Sequence, residues 1–375
     1  MCLVLTVDLA RVSFARFAVP PAPGEAWTGE VPTGEMWTGE EREIGFPATQ
    51  LVPSWTARTP PGAWIEVALR ARVASGARTK WYVMGRWSEH GSECGFEHGF
   101  ERGFERGGPR TSVPGQGDEN GDVAVDTFVA RRPVTAYQVR IVRHGPARVT
   151  GLSVVASAVP PRPAAPSAPL AAEPVELAVP RYWQHAHAGH HPRFDGGGAN
   201  WCGPASVAMV LGFWGRGPGP DELAWVGAGD PAPAVDHAAM GTYDESYQGT
   251  GNWAFNVAYA GRYGLAGFVT RLRSAAELEL FVRAGIPVIT SQSFRAHELP
   301  GSGYSTSGHI HVVTGFTAAG DVVVNDPAAP DGEVRRVYPR AAFESVWLRG
   351  SGSGGIAYVL HPPGHSLPPS SDGNW

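Results

Sequence analysis

Apolar and polar residues alternate along the first half of the chain with the period of a β-strand. In Trp64-Ile65-Glu66-Val67-Ala68-Leu69-Arg70, the side chains of Ile65, Val67 and Leu69 fall on one face. WYVMGRW (81–87), DVAVDTFVA (122–130) and AYQVRIVR (136–143) have the same character, and GLSVVASA (151–158) closes the set. Short strands separated by Gly/Pro turns predict an all-β, sandwich-like domain over residues 46–158. Residues 1–45, with WTGE at 27–30 and again at 37–40, read as irregular, and GFEHGFERGFERGG (95–108) reads as a flexible low-complexity loop.

Residues 159–178, VPPRPAAPSAPLAAEPVELA, are dense in proline and alanine, which predicts an extended, semi-rigid spacer open to proteolysis. Beyond it the period lengthens. Pro204–Trp214 has Val207, Val210, Leu211 and Trp214 at helical spacing, and Trp253–Tyr263 predicts a second helix that stops near Gly264. Ser274-Ala-Ala-Glu277 is a capping-box pattern that opens a third helix, closed by Gly285. Strands follow at 286–292, 309–316, 321–326, 333–338 and 356–360. Helices first and a mostly antiparallel sheet second make residues 179–364 an α+β domain able to fold alone, with 365–375 as a disordered tail.

Composition narrows the function classes. The 375 residues are 43% hydrophobic and 17% charged, enough to bury two ordinary cores. A net charge of −5, with Lys80 the only lysine and no basic block, argues against nucleic acid or an anionic membrane surface as partner. No run approaches the roughly 18 apolar residues that a membrane span needs. The opening MCLVLTVDLARVSF is a poor signal peptide, so the chain reads as soluble, with export left open if the true start lies upstream. Cys2, Cys94 and Cys202 are far apart and odd in number, so the question becomes which thiol is reactive rather than which pair is bridged.

Asn200-Trp201-Cys202-Gly203-Pro204-Ala205-Ser206 places one thiol at the mouth of the first predicted helix. Backbone N–H groups and the helix dipole favour a thiolate there, and Pro204 suits the first turn. A thiolate nucleophile also needs a base and a group that orients it. His309 opens a strand after Gly308, and Asp326 ends the next strand before Pro327, so a hairpin would bring the two together. A buried cysteine, a structural histidine and a turn-capping aspartate would account for the same residues. His309 and His311 share one strand face and either could address the helix, but His309 lies at the strand's start, where the hairpin would set it beside Asp326.

Together, NWCGPASVAMVL, GHIHVVTGF and DVVVNDPA resemble cysteine peptidase family thirty-nine, the bacteriocin-processing or double-glycine leader peptidases and their free-standing bacterial relatives. GTGNWAFNVAYAGRYGL (249–265) is similar to the actinobacterial branch. The resemblance covers roughly 179–364 and implies a papain-like cysteine peptidase fold with a Cys202–His309–Asp326 triad. It also favours His309, which matches the family's Gly-His position, over His311. Papain-like enzymes place a glutamine shortly before the cysteine to hydrogen-bond the oxyanion, but Gly196 stands where the processing peptidases keep it. Gln184, 18 residues upstream, is the nearest counterpart if the intervening loop folds back, with Asn200 as second choice.

That loop, HAHAGHHPRFD (185–195), holds His185, His187, His190 and His191 near Asp195. Zinc suits the ligand types, but cysteine partners at metal spacing are missing, so the loop reads as a polar surface at the cleft rim, with no metal and no cofactor expected. Trp55, Trp64, Trp81 and Trp87 invite a glycan-binding or cell-wall-binding reading of the β-rich region, with core packing the commoner fate of such residues and Trp64 the one placed to be exposed. The expected activity is hydrolysis of a peptide or isopeptide bond in a peptide or protein substrate through an S-acyl intermediate. The alternatives are a transamidase or acyltransferase using the same triad, and a non-catalytic glycan-binding or wall-binding protein. The absence of an ATP-binding motif disfavours a dedicated leader-peptide exporter.

Overall fold

The computed structural model describes residues 9–19, 30–31, 34–91, 109–161, 165–227, 229–350 and 353–375. The 95–108 repeat, residues 27–29 of the first WTGE motif, Cys2 and Cys94 lie outside them. The N-terminal region is one antiparallel sheet built from β1 (Arg11–Arg16), β2 (Glu30–Val31), β3 (Gly34–Thr38), β4 (Arg42–Arg58), β5 (Trp64–Val73), β6 (Tyr82–Trp87), β7 (Gly121–Ala124), β8 (Thr127–His144) and β9 (Arg148–Ala158). The sequence pattern predicts two stacked sheets. Instead, the long strands β4 and β8 each exchange partners along their length, through register shifts at 43/48, 48/50 and 72/73, and keep all nine strands in one hydrogen-bonded network.

Several sequence boundaries move for local reasons. Residues 1–45, expected to be irregular, contribute β1 and β3, because Arg11–Arg16 finds a full antiparallel partner in β9. DVAVDTFVA is a hairpin rather than a single strand: it turns at Val125-Asp126, with Val125 in the left-handed region at φ 59°. Strand β8 then runs through Pro133, where residues 131–133 are exposed and the missing N–H costs no buried bond.

After β10 (Val175–Glu176) come α1 (Cys202–Phe213), α2 (Pro220–Leu223), α3 (Pro233–Thr242), α4 (Trp253–Arg262), β11 (Ala266–Arg271), α5 (Ala275–Arg283), β12 (Val288–Phe294), β13 (Thr306–Phe316), β14 (Val322–Asn325), β15 (Arg335–Tyr338), α6 (Arg340–Leu348) and β16 (Ile356–His361). The second sheet has the order β11-β16-β12-β13-β14-β15, with β10 added to the end of β13, and is antiparallel throughout. The architecture is α+β. Ser274 caps α5 by accepting from the Glu277 N–H at 3.2 Å, while the Glu277 carboxylate reaches back to the Arg273 N–H at 2.7 Å. One sheet face carries Ile289, Ile310, Val312 and Tyr358 toward α1 and α4, and the other carries Val288, Val313, Val324 and Val359 toward α5 and α6. No helix among the described residues is long and apolar enough to cross a membrane.

The two sheets do not have separate cores. Trp55 of β4 and Trp87 of β6 pack on Phe255 of α4 at 6.1 and 5.4 Å between ring centres. The Val269 N–H of β11 donates to Ser54 Oγ at 2.9 Å. One buried apolar cluster therefore runs from the first sheet through α1, α3 and α4 to the second.

Two segments expected to be loose are tied down. The tail from 365 to 375 ends with Asn374 fully buried: its carbonyl accepts from Thr270 Oγ1, and its amide donates to the Arg271 carbonyl at 3.1 Å and to Glu277 at 2.9 Å. Trp375 packs on Phe281 at 5.0 Å. The tail is ordered because it supplies partners that buried groups of β11 and α5 would otherwise lack. In the Pro/Ala spacer, the Arg340 guanidinium donates to the carbonyls of Ser167 (2.8 Å) and Ala168 (3.1 Å) and to Glu279 (3.2 Å). Ser167 also donates to Glu344 at 2.6 Å. Arg340→Ala removes the cation from this buried group, which typically costs about 3–5 kcal/mol. Limited proteolysis should then cut near 165–172 several-fold faster in the variant than in wild type; equal rates would mean that Arg340 does not hold the spacer.

Candidate functional site

The first turn of α1 is shaped by what lies against it. A Cβ at Gly203 would stand 2.9 Å from the Thr250 carbonyl oxygen, so only glycine lets the helix start this close to the loop before α4. Trp201 is fully buried and donates its indole N–H to the Phe194 carbonyl at 2.6 Å, fixing the entry to the helix. Ser206 Oγ donates to the Ile310 carbonyl at 3.3 Å, which ties α1 to β13 one residue from His309. Cys202, partly exposed, begins the helix on the wall of a cleft of about 990 Å³, lined also by Gln184, Asn200, Trp253, Gln292 and His309.

His309 and Asp326 meet, but not by simple strand pairing. Val312 faces Asn325, so continued register would set Asp326 opposite His311. The chain leaves the β13 ladder at Asp326, whose N–H donates to the Val334 carbonyl at 2.7 Å, and the carboxylate reaches along the strand to His309 Nε2 at 2.8 Å. Tyr304 donates to both oxygens at 3.1 and 2.9 Å, Tyr338 donates to Oδ2 at 2.7 Å, and the Ala328 N–H donates to Oδ1 at 3.0 Å. On its other side the imidazole lines the same cleft as Cys202.

His309 and His311 share a face, as their spacing predicts, but that face packs against α6. His311 lies deep on it, with its ring stacked against Phe343 at 5.6 Å and neither nitrogen hydrogen-bonded. Burial pushes its pKa down to about 3, the Asp326 charge opposing this and the His309 charge adding to it, so the ring is neutral. For His309, burial also lowers the pKa, but the charge and hydrogen bond of Asp326 and the interaction with Cys202 outweigh it and raise the value to about 10. Burial raises the Asp326 carboxyl, yet the charge and hydrogen bond of His309 and the hydrogen bond from Tyr338 hold it well below the carboxylate range.

Gln184 also reaches the cleft. The loop from 185 to 200 folds back through positive-φ residues Gly189, His191, Asp195, Gly196 and Gly197. Gln184 is buried, its amide donates to the Ala199 carbonyl at 2.6 Å, and its Oε1 has no partner. Asn200 is exposed and its amide is committed to Asp195 at 3.1 Å. The first sheet supplies part of the wall through Gln50 and Ala124–Thr127. Asp126, whose pKa burial raises to about 6 against the pull of its hydrogen bonds, accepts from the Trp253 N–H at 2.6 Å. These wall residues escaped the sequence reading because 122–130 had the pattern of one continuous strand. The tryptophans are occupied elsewhere: Trp55 and Trp87 are fully buried, Trp64 stacks on His144 at 3.6 Å, and Trp81 lies under Arg70 and Arg140 at 4.7 and 4.6 Å.

An α+β fold thus sets a thiol at a helix start, an imidazole and an amide around one cleft, with a buried carboxylate behind the imidazole. Comparison with known proteins supplies the family. Residues 176–354 match the Peptidase C39-like family and residues 28–157 match the Peptidase C39 N-terminal domain; the chain belongs to the C39-like peptidases. Among solved structures it is similar to a C39-like peptidase from Bacillus anthracis at 17% identity and a TM-score of 0.32, over 50% of this chain and 97% of that one. No curated protein matches it.

Linkage gives the pair a pH signature. A raised histidine pKa contributes stability that is complete below the unfolded value of about 6.5 and is lost as pH rises through about 10. The lowered Asp326 pKa contributes above the unfolded carboxylate value, and its share is lost as pH falls through the folded one. In an NMR titration the His309 ring should titrate near pH 10 in wild type. In Asp326→Asn it should titrate below about 8, because the main raising charge is gone; an unchanged titration would show that Asp326 does not set the imidazole's charge.

Proposed function

We propose that this protein is a papain-like cysteine peptidase that hydrolyses a peptide or isopeptide bond, with Cys202 as nucleophile, His309 as base and then acid, and Asp326 orienting the imidazole. One observation carries the reading: Cys202, at the start of α1, and His309 line the same cleft, while Asp326 holds Nε2 of that imidazole at 2.8 Å. With Nε2 committed to Asp326, Nδ1 is the nitrogen that takes the thiol proton. The sulfur then attacks the substrate carbonyl carbon, and the C=O electron pair becomes an oxyanion. The Cys202 N–H, which has no intrahelical acceptor at the first position of α1, and one Gln184 amide hydrogen are the donors available to that oxygen. His309 next returns its proton to the departing amine, the C–N bond breaks and a thioester remains. Water deprotonated by His309 attacks the thioester carbon, releasing the acid and the thiol.

Family membership supports a peptide or protein as substrate. The separate residues 46–158 and 179–364 expected as domains act in this reading as one unit, since both contribute to the cleft. A glycan-binding role for the first sheet receives no support from Trp55 and Trp87, which are fully buried, or from Trp64 and Trp81, each half-buried and stacked on a residue of the same sheet.

Two variant series test the proposal on peptide-library cleavage with product identification by mass spectrometry. Cys202→Ala should abolish turnover and His309→Ala should reduce kcat by about 10⁴-fold. His311→Ala, if folded, should keep most activity; the opposite order for the two histidines would overturn the assignment. Gln184→Ala should lower kcat by about 10²–10³-fold with little change in KM, the mark of a donor used in the transition state. A Gln184→Ala variant with wild-type kcat would remove it from the oxyanion site.

A further inference from the structure

The loop that brings Gln184 back to the cleft also carries a second group of donor atoms, outside the cleft lining. His187, at the end of a 3-10 turn over Gln184–His187, is fully buried, as is Asp236 in the first turn of α3. Asp230, in the loop before α3, is 2% exposed, and His190 is 39% exposed. His187 Nδ1 lies 2.7 Å from Asp236 Oδ2 and 3.4 Å from Asp230 Oδ2. His190 Nδ1 lies 3.1 Å from Asp230 Oδ2 and 3.3 Å from Asp236 Oδ1.

Of these contacts only His190 Nδ1 with Asp236 Oδ1 is a hydrogen bond, which leaves most of the donor atoms unsatisfied. Neither ring nitrogen of His187, nor Asp236 Oδ2, nor Asp230 Oδ2, has a hydrogen-bond partner. At 2.7 Å the His187 and Asp236 atoms are close enough to bond but lie outside hydrogen-bonding geometry. One ligand atom from each of the four residues lies within 4.8 Å of all the others. Bonds of 2.0–2.2 Å to a tetrahedral ion separate its ligands by about 3.3 Å, close to the spacing seen here. Two buried carboxylates without full pairing are costly, and a dication among them offsets that cost.

We propose that His187, His190, Asp230 and Asp236 bind one divalent transition-metal ion, zinc in preference to calcium or magnesium. Imidazole nitrogen suits zinc, whereas calcium and magnesium take oxygen ligands. Four protein ligands leave no open position, so the ion is structural. Its place explains what it does. A Cβ at Gly198 would stand 2.3 Å from the Gln184 carbonyl oxygen and 2.7 Å from that of His187, and the His187 ring lies 6.1 Å from Trp201. Metal bound at His187 and Asp236 thus clamps the turn bearing Gln184, and the residue before Cys202, to α3. From the sequence the loop reads as a polar surface without metal because no cysteine partner stands nearby; the carboxylates come from some 40 residues downstream.

The test uses the full chain stripped with a chelator and then titrated with zinc chloride against a chromophoric competitor. We expect one equivalent bound, visible absorption of tetrahedral type with cobalt, and a Tm rise of about 5 °C at 100 times Kd. His190→Ala, at a half-exposed position where folding is least at risk, should weaken binding more than about 100-fold, beyond the effect of losing an outer partner. His297→Ala, at an exposed site, should leave binding unchanged. Substoichiometric zinc with no change in Tm, or binding retained in both His190→Ala and Asp236→Asn, would overturn the proposal. These readouts do not depend on peptidase activity, so they stand or fall apart from the proposed reaction.

Discussion

A single buried carboxylate organises the candidate site. Asp326 is fully buried and accepts from a histidine, two tyrosines and a backbone N–H, and each donor comes from a different place in the chain. An ionised carboxylate away from water is tolerated only when its lone pairs are filled. Filling them here fixes the loop before β13 through Tyr304, the strand itself through His309, and the end of β15 through Tyr338. The chain reversal after Asn325 is part of the same arrangement, because it swings the carboxylate off its register position toward His309. The charge that results explains the contrast between two histidines on one strand face. One gains a carboxylate and becomes cationic; the other, two residues on, is buried among aromatics and neutral.

The first sheet matters to this site because it closes the cleft rather than because it carries an independent surface. Arg110 donates to the Met240 carbonyl at 2.9 Å and Ser112 N–H donates to Asp244 at 2.9 Å. The same Asp244 accepts from Asn252, the cap of α4, at 2.9 Å. The loop that leads into α4 is thus built on residues from both halves of the chain. Val125 holds a left-handed backbone conformation, which a β-branched residue adopts only under local constraint, next to Asp126 at the cleft wall. A substrate entering the cleft would meet both sheets.

How much of this was legible beforehand depended on the range of the interactions. Helix α1 was readable because Val207, Val210 and Leu211 repeat at helical spacing and Pro204 marks the first turn. Helix α5 was readable because Ser274 and Glu277 act locally. Cys202, His309, Asp326 and Gln184 could be named from residue types and the family resemblance; Cys202, His309 and Gln184 line one cleft, and Asp326 lies buried behind His309. Strand β4 was missed because GFPATQLVPSW carries two prolines and is buried on both faces over residues 51–57, which erases alternation. The ordered tail and the docked spacer were missed for another reason: Asn374 and Ser167 are held by Glu277, Arg340 and Glu344, and nothing local announces a partner so far along the chain.

The histidine-rich loop shows the same limit from the functional side. Its four histidines, read together, look like one polar surface, yet the fold divides them. His185 lines the cleft, His191 lies against Trp225 at 4.6 Å, and His187 and His190 turn toward α3. What separates them is the run of positive-φ residues between 189 and 197, which a strand or helix would not permit. Those turns are also what lets Gln184 line the same cleft as Cys202, although 17 residues intervene. A loop bent this sharply buries few apolar side chains of its own apart from Phe194 and Trp201. Its shape therefore has to come from specific bonds: Trp201 to Phe194, Asp195 to Thr250 at 3.1 Å, and the group around Asp236. Each fastens the loop to a different neighbour, and the position of Gln184 over the cleft follows from all three together.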